Sequence, residues 1–289
     1  MSDQQPVIQV NQLEHTYLRG TPFEVQGLSG ADLEIHRGEA VGIIGRTGAG
    51  KSTIVQHFNG LIRPRERGKV IVLGNDMADP TVNVRSIRQK VGLVFQYPEA
   101  QLFERLVGDD VAFGPFKMGL KLDEARERVR WAMDIVGLPF EKFKDRFTFS
   151  LSGGEMRKAA IAGVLALRPE ILVLDESTSG VDPRGRKELL ADIRKLHEEE
   201  GLTIVFVSTN MEDMAALVDR VYAVDGGKTV MSGSTGEIFS RPEELRRHGL
   251  GAPQITDVMH QLKQRGLPVN ERCVTVAQAE DEVWKILNS

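Results

Sequence analysis

The chain has 289 residues, enough for one substantial domain and a smaller appendage. Its net charge of −4 argues against a broad basic face, so we expect no nucleic-acid partner. The single cysteine, Cys273, excludes an intrachain disulfide and fits a reducing cytosol. We expect no signal peptide, and the longest apolar run, Ala159 to Leu167, is far shorter than the roughly 20 residues of a membrane span.

Short apolar, β-rich segments recur along the chain and predict strands. Several alternate with amphipathic stretches, which predicts an α/β fold with a mostly parallel core sheet. Turn dipeptides separate the first strands and predict an antiparallel β flap. The predicted strands are Val7–Val10, Ala40–Ile44, Val70–Leu73, Val91–Phe95, Ile171–Leu174, Thr203–Val207, Arg220–Val224 and Thr229–Met231.

A helical subdomain is predicted over about residues 97–165, inserted in an α/β domain over residues 1–239. Within it, Leu122–Val136 places Ala125, Val129, Ala132, Met133 and Val136 on one stripe of a helix.

Residues 240–289 predict a small helical carboxyl-terminal extension. One amphipathic helix would carry Ile255, Val258, Met259 and Leu262 on one face. Thr275 and Gln278 resemble a capping box for a last helix, which would carry Ala279, Val283, Ile286 and Leu287.

Val41–Thr53 reads as a strand, a glycine-rich loop and a helix start, and it matches the P-loop pattern G-x-x-x-x-G-K-[ST]. Backbone N–H groups of such a loop point at phosphate oxygens, and the helix dipole adds positive potential. Lys51 would reach the β- and γ-phosphates, and Ser52 would ligate Mg²⁺. The predicted nucleotide-binding residues are Gly45, Arg46, Thr47, Gly48, Ala49, Gly50, Lys51, Ser52 and Thr53.

Glu170–Glu176 is a second apolar strand that ends in two carboxylates. Behind a P-loop, Asp175 is placed to hold Mg²⁺ through water. Glu176 is then placed to polarise the water that attacks in line with the leaving group.

Leu151–Lys158 contains another anion cradle, formed by Ser152, Gly153 and Gly154 before a helix, but no magnesium ligand accompanies it. Such a cradle suggests that it completes a site elsewhere. With this "LSGG" sequence the chain resembles the ATP-binding-cassette (ABC) ATPases, which are P-loop NTPases. The resemblance implies that two subunits enclose two ATPs, each between one P-loop and the other subunit's signature.

Three weaker motifs fall in register with these. Tyr17 lies where the family stacks an aromatic ring on adenine. Gln96 matches the Q-loop glutamine, which contacts Mg²⁺ and the membrane partner. Ser179–Asp182 matches the D-loop, so Asp182 is predicted at the dimer interface.

A narrower resemblance, to the energy-coupling-factor (ECF) transporters for vitamins and transition metals, rests on Gly20–Glu24, Ile54–Leu61, Gln96–Pro115 and Asp182–Glu188. The chain looks most like the second of their two ATPase subunits. This implies a second homologous ATPase subunit, a transmembrane scaffold subunit, a substrate-binding membrane subunit, and a peripheral location on the cytoplasmic face of the cell membrane. Tyr97–Phe103 would help form a groove for the scaffold's coupling helix, and the tail would serve subunit pairing.

Three residues depart from the family pattern. Glu155 replaces the signature glutamine and adds negative charge near phosphate, and Ser177 replaces a proline, which we expect to loosen the loop. Thr209 replaces the switch histidine that contacts the γ-phosphate and positions Glu176. No histidine lies in a motif that could replace it, so we expect ATP binding to survive and hydrolysis at this site to be slow.

Three alternatives remain at this level. The chain could serve another ABC importer. It could be a soluble ABC ATPase acting on DNA or ribosomes, although the segment between Gln96 and Leu151 is too short for long coiled coils and only one cassette is present. Thr209 could also mark a degenerate, mainly structural nucleotide site within a transporter.

Overall fold

A computed structural model of the chain describes residues 5–97 and 100–287. In these residues no helix is both long enough and apolar enough to cross a membrane.

The core is a six-stranded sheet with strand order β10-β9-β3-β8-β7-β6. Strands β3, β6, β7, β8 and β9 are parallel, and β10 is antiparallel at one edge. The central strands are almost entirely apolar and are buried on both faces, as is typical of a parallel sheet covered by other elements on each side. The strands are β3 (Ala40–Gly45), β6 (Val91–Val94), β7 (Ile171–Asp175), β8 (Thr203–Val207), β9 (Arg220–Asp225) and β10 (Lys228–Ser234).

A four-stranded antiparallel sheet, ordered β2-β1-β4-β5, forms the predicted flap. Its strands are β1 (Ile8–Tyr17), β2 (Val25–Ile35), β4 (Val70–Val72) and β5 (Asn75–Asp76). The sequence did not predict β2 or β5. Strand β2 contains two glycines and several polar residues, and its pairing with β1 rather than its own propensity makes it a strand.

Helices cover the sheet and form the middle of the chain. Helix α4 buries four of the five stripe residues within its bounds, as the periodicity predicts, and the fifth, Val136, is buried at its end. The helices are α1 (Lys51–Phe58), α2 (Val84–Lys90), α3 (Val107–Lys117), α4 (Leu122–Ile135), α5 (Phe140–Phe143), α6 (Gly153–Leu165), α7 (Pro183–Glu200), α8 (Met211–Leu217), α9 (Thr235–Phe239), α10 (Pro242–Arg247), α11 (Gln254–Gln264) and α12 (Val276–Leu287).

The carboxyl-terminal helices α11 and α12 enclose a small cluster of their own, formed by Met259, Val269, Cys273 and Ala279. The predicted capping box is present, since Thr275 and Gln278 exchange backbone-to-side-chain hydrogen bonds of 3.3 Å. Val258 and Leu287 differ from the prediction. They are 48% and 73% exposed, because the packed face of each helix is narrower than the apolar stripe.

Candidate ATP-binding site

The P-loop connects β3 to α1 at the carboxyl edge of the core sheet. Gly48 and Gly50 have φ angles of +80° and +103°, which other residues rarely adopt. A Cβ atom on Gly45 would lie 2.5 Å from the Val224 carbonyl oxygen, and one on Gly50 would lie 2.7 Å from that of Gly27. The loop therefore needs these glycines for its shape and its packing.

The Lys51 side chain folds back onto the backbone of the P-loop. Its Nζ donates to the carbonyl oxygens of Gly45 at 2.8 Å and Arg46 at 3.1 Å, and it lies 3.9 Å from Glu176 Oε1. Burial lowers the pKa of this lysine, and the carboxylates of Glu176 and Asp175 oppose the shift. The cation is thus held where a phosphate oxygen could replace the two carbonyls.

Asp175 ends β7, beside Ser52 at the start of α1. The Ser52 hydroxyl hydrogen-bonds the carboxylate, while Asp175 Oδ1 is buried and has no hydrogen-bond partner among the described residues. Burial raises the pKa of Asp175, and Ser52 and Lys51 oppose the shift. A buried carboxylate oxygen without a partner, next to a serine hydroxyl, fits the oxygen ligand set that Mg²⁺ prefers.

Glu176 follows Asp175 with an unusual backbone, at φ +50°. Its N–H donates to the Val207 carbonyl oxygen at 2.9 Å, which fixes it beside the end of β8. Burial raises the pKa of its carboxyl, Lys51 lowers it and Asp175 raises it further. The backbone N–H and the side chain of Thr209 also hydrogen-bond this carboxylate and lower its pKa.

Thr209 follows the carboxyl end of β8, which lies between the P-loop strand β3 and strand β7, the strand that ends in Asp175. Its position is set locally, because Asn210 N–H donates to Ser208 Oγ and the Asn210 side chain caps α8. The side chain is exposed on the site's surface. The sequence predicted an approach to the γ-phosphate. The structure adds a direct contact with Glu176.

Tyr17 approaches the P-loop from the flap. Its hydroxyl lies 2.9 Å from Thr53 Oγ1, and the ring is 38% exposed. A cleft of about 240 Å³ runs between this ring and the loop. The lining residues are Tyr17, Val25, Gln26, Gly27, Gly48, Ala49, Gly50, Lys51, Ser52 and Thr53.

The signature residues Ser152, Gly153 and Gly154 begin α6, where Ser152 and Glu155 form a capping box. A Cβ atom on Gly154 would lie 3.6 Å from the Gly180 carbonyl oxygen, so the signature packs on the D-loop of its own chain. In the described part of the chain, no hydrogen bond or ion pair joins the signature to the P-loop.

Asp182 ends the D-loop and caps α7, accepting from Gly185 N–H at 2.9 Å. Ser177, in the loop before it, is buried, and its Oγ has no partner among the described residues. The loosening expected from this serine stays a prediction.

Gln96 follows β6, and its carbonyl oxygen accepts a 2.7 Å hydrogen bond from Arg157 on α6. Arg157 was not among the residues predicted from the sequence. Its only signal there was a basic residue one turn into the signature helix. Of the predicted groove Tyr97–Phe103, Pro98 and Glu99 lie outside the described residues, while Tyr97 and Phe103 are 63% and 58% exposed.

Comparisons with known proteins agree with this geometry. The ABC transporter family matches residues 28–179. The energy-coupling factor transporter ATP-binding protein EcfA2 of Clostridium tetani is 45% identical over 282 residues, 98% of each chain. The protein of the same name from Symbiobacterium thermophilum is 46% identical over 275 residues, covering 95% of this chain and 94% of the relative.

Solved structures show the same fold. The structure of cbiO1 from Clostridium perfringens, described as part of the ABC transporter complex cbiONQ, has a TM-score of 0.72 at 33% identity and covers 90% of this chain and 99% of its own. The ATP-binding cassette MJ0796, solved as a dimer bound to ADP and Pi, has a TM-score of 0.72 at 27% identity, covering 78% of this chain and 98% of its own. The chain therefore belongs to the ABC transporter family and, within it, to the energy-coupling factor transporter ATP-binding proteins.

Proposed function

We propose that this chain is an ATP-binding and ATP-hydrolysing subunit that energises uptake of a vitamin or transition-metal ion by an ECF transporter. It pairs with a second, homologous ABC ATPase subunit and works with a transmembrane scaffold subunit and a substrate-binding membrane subunit. This places it on the cytoplasmic face of the cell membrane. The names of the relatives EcfA2 and cbiO1 support the assignment.

One observation carries the proposal of a paired ATPase. Lys51 of the P-loop, Asp175 and Glu176 form one group of contacting side chains, whereas the signature packs on the D-loop and has no polar link to that group in the described residues. A single chain thus holds two halves of different sites. Two subunits are needed to bring a P-loop and a signature onto the same nucleotide.

The chain's residues would act on ATP in a defined order. P-loop N–H groups would hold the phosphates, and Lys51 would exchange the carbonyls of Gly45 and Arg46 for phosphate oxygens. Glu176 would accept a hydrogen bond from the attacking water and orient the water in line with the leaving group. Mg²⁺, when bound, would neutralise charge on the β- and γ-phosphate oxygens, and Ser52, Asp175 and Gln96 would hold it.

Coupling to transport follows from the paired arrangement. ATP would draw the two subunits together, because the signature and Asp182 of each subunit complete the other's site. Hydrolysis and phosphate release would remove that bridge and reopen the pair, which would move the coupling helices of the scaffold.

We further propose that hydrolysis at this chain's own P-loop is slow. Thr209 hydrogen-bonds Glu176, but its side chain is shorter than imidazole by a few atoms and carries no charge. It would reach the γ-phosphate only through water. Loss of one well-placed transition-state donor typically costs on the order of 10²–10³ in rate.

The test uses the complete transporter with a partner subunit whose catalytic glutamate is replaced by glutamine. The remaining turnover reports this chain's P-loop site, and we expect it to be low. Thr209→His should raise it, whereas Thr81→His, at an exposed threonine outside the site, should not. Turnover undiminished by the partner's substitution would contradict the proposal of a slow site.

A further inference from the structure

Arg157 lies between two loops that serve ATP sites. One turn into α6, its Nη1 donates to the Gln96 carbonyl oxygen at 2.7 Å. Its guanidinium also lies against Gly180 of the D-loop, where a Cβ atom would stand 3.4 Å from Nε and 3.8 Å from Nη2. A single half-buried side chain therefore contacts the Q-loop and the D-loop together.

The same helix holds both loops at further points. Gln101 accepts from Phe95 N–H at 3.1 Å and donates to the Ala160 carbonyl oxygen at 2.9 Å, which ties the Q-loop to α6. At the amino end of the helix, Gly154 packs on the backbone of Gly180 and Val181. The helix that carries the signature is thus tied to both loops by hydrogen bonds and packing.

The contact depends mainly on a charged donor, which arginine supplies with a second edge left free for the D-loop. Arg157 makes no ion pair among the described residues. Its charged guanidinium donates to the carbonyl oxygen of a loop residue and not to a carboxylate. The guanidinium lies beside Gly180 of the D-loop, a residue with φ +80°. A charged donor held this way fixes the position of a loop.

We propose that Arg157 is a positioning residue that couples the two ATP sites of the pair. The inference rests on the proposed paired ATPase. Gln96 belongs to this chain's own site, and Ser152 to Gly154 face the nucleotide of the partner. Arg157 transmits the position of the Q-loop to the signature helix, and so sets how well that helix engages the partner's ATP.

The inference separates two kinetic quantities. ATP is bound mainly by the P-loops, which Arg157 does not touch, so its loss leaves the KM for ATP unchanged. Closure of the signature on the partner's nucleotide precedes hydrolysis, so kcat falls. We expect a loss of about tenfold in kcat, within the usual range of coupling between two sites.

The experiment measures Mg-ATP turnover by the complete transporter, with this chain as wild type, Arg157→Met, Arg157→Lys or Arg130→Met. Methionine keeps the length and packing of Arg157 but not the donor, and lysine keeps a charged donor. Arg130, in the same subdomain, pairs with Glu141 at the surface and is the control. Arg157→Met should lower kcat about tenfold with KM within about twofold, and Arg157→Lys should restore part of the loss.

Two results would overturn the inference while leaving the proposed function intact. One is a kcat for Arg157→Met equal to that of Arg130→Met, and the other is an Arg157→Lys variant as slow as Arg157→Met. A wild-type transporter without ATPase activity would overturn both proposals. Should Arg157→Met fail to assemble, Arg157→Gln provides the same comparison, because its shorter side chain cannot reach both loops.

Discussion

Three ionisable side chains share one buried space at the carboxyl edge of the core sheet. Burial shifts the pKa of Lys51, Asp175 and Glu176 toward the neutral form. The lysine and the two carboxylates oppose this shift in each other, whereas Asp175 raises the pKa of Glu176 further. Charged phosphates entering this space would meet a lysine whose ammonium donates to two backbone carbonyls. The site is therefore poised to exchange internal contacts for contacts with ATP.

The surroundings of Thr209 show which features of the site can be predicted from a sequence and which cannot. The P-loop, Asp175 and Glu176 were predictable because fixed spacing along the chain places them at neighbouring strand ends. The hydrogen bonds from Thr209 to Glu176 were not predictable, because they depend on the backbone of Glu176 at φ +50° and on the turn at Ser208. Neither feature has a pattern in the sequence.

His57 gives a prediction about pH and stability. It is fully buried in α1, its Nδ1 donates to the Thr53 carbonyl oxygen at 2.7 Å, and its Nε2 has no partner among the described residues. Burial lowers its pKa to about 4, although the Thr53 bond opposes the shift. The folded state therefore binds the proton more weakly than the unfolded state, where the pKa is about 6.5.

The stability that depends on neutral His57 is present above pH 6.5 and is lost as pH falls toward 4. Between pH 7 and pH 5 we expect the free energy of unfolding to drop by about 2 kcal/mol from this group. Urea unfolding at both pH values measures the drop, and His57→Phe should make it smaller. An equal drop in the variant would show that other groups are responsible.

At the scale of single elements, the start of α6 carries a negative charge that the family pattern lacks. Glu155 closes the capping box with Ser152 and forms a 3.0 Å ion pair with Arg146. In the proposed paired ATPase this helix terminus would face the partner's nucleotide. A carboxylate there offsets part of the helix dipole that would otherwise attract phosphate.

Glu155→Gln should lower the KM for ATP of the complete transporter by about two- to fivefold, and the effect should shrink at high salt. Glutamine also closes a capping box, so the helix should persist. Glu237→Gln is the matched control, because it changes the same motif on α9 with Ser234. Equal changes in both variants, or none in Glu155→Gln, would contradict this reading of the helix terminus.

Strands differ in how well the sequence predicts them. Strand β8 has the predicted bounds because it is interior and apolar on both faces, so composition alone marks it. Strand β2 was missed because two glycines and several polar residues interrupt its apolar pattern, and it exists through its long antiparallel pairing with β1. Pairing partners distant in sequence leave no local pattern.

At the scale of the whole molecule, two apolar clusters lie on opposite faces of the core sheet. In β3, Ala40 and Ile44 face the cluster of the middle helices, while Val41 and Ile43 face the flap and α1. The alternation continues along β7 and β8. The P-loop therefore follows a strand that is packed on both faces by the main core.

Among the described residues, α11 and α12 enclose a separate cluster with four buried members, whereas Leu245, Leu250 and Val274 of the extension pack into the main core. Met259 is 1% exposed at its centre, whereas the adjacent Val258 is 48% exposed. Replacing a buried methionine by alanine typically lowers the free energy of unfolding by about 2–5 kcal/mol. A cluster this small does not stay folded after such a loss. Met259→Ala should therefore unfold α11 and α12 locally and leave the main core intact.

Met259→Ala, with Val258→Ala as its control, distinguishes the role of the carboxyl-terminal extension from that of the ATP site. In Met259→Ala the P-loop stays folded, so binding of a fluorescent ATP analogue should remain within about twofold of wild type, while the fraction of chain that co-purifies with the partner subunit should fall. Val258→Ala should keep both properties, because its side chain lies outside the cluster. Full pairing by a Met259→Ala chain whose tail is cleaved by protease would show that pairing does not need the extension. Loss of ATP binding together with pairing would show instead that the tail and the main core unfold as one unit. If the tail folded separately, its unfolding would leave the P-loop, which the core sheet holds, able to bind ATP.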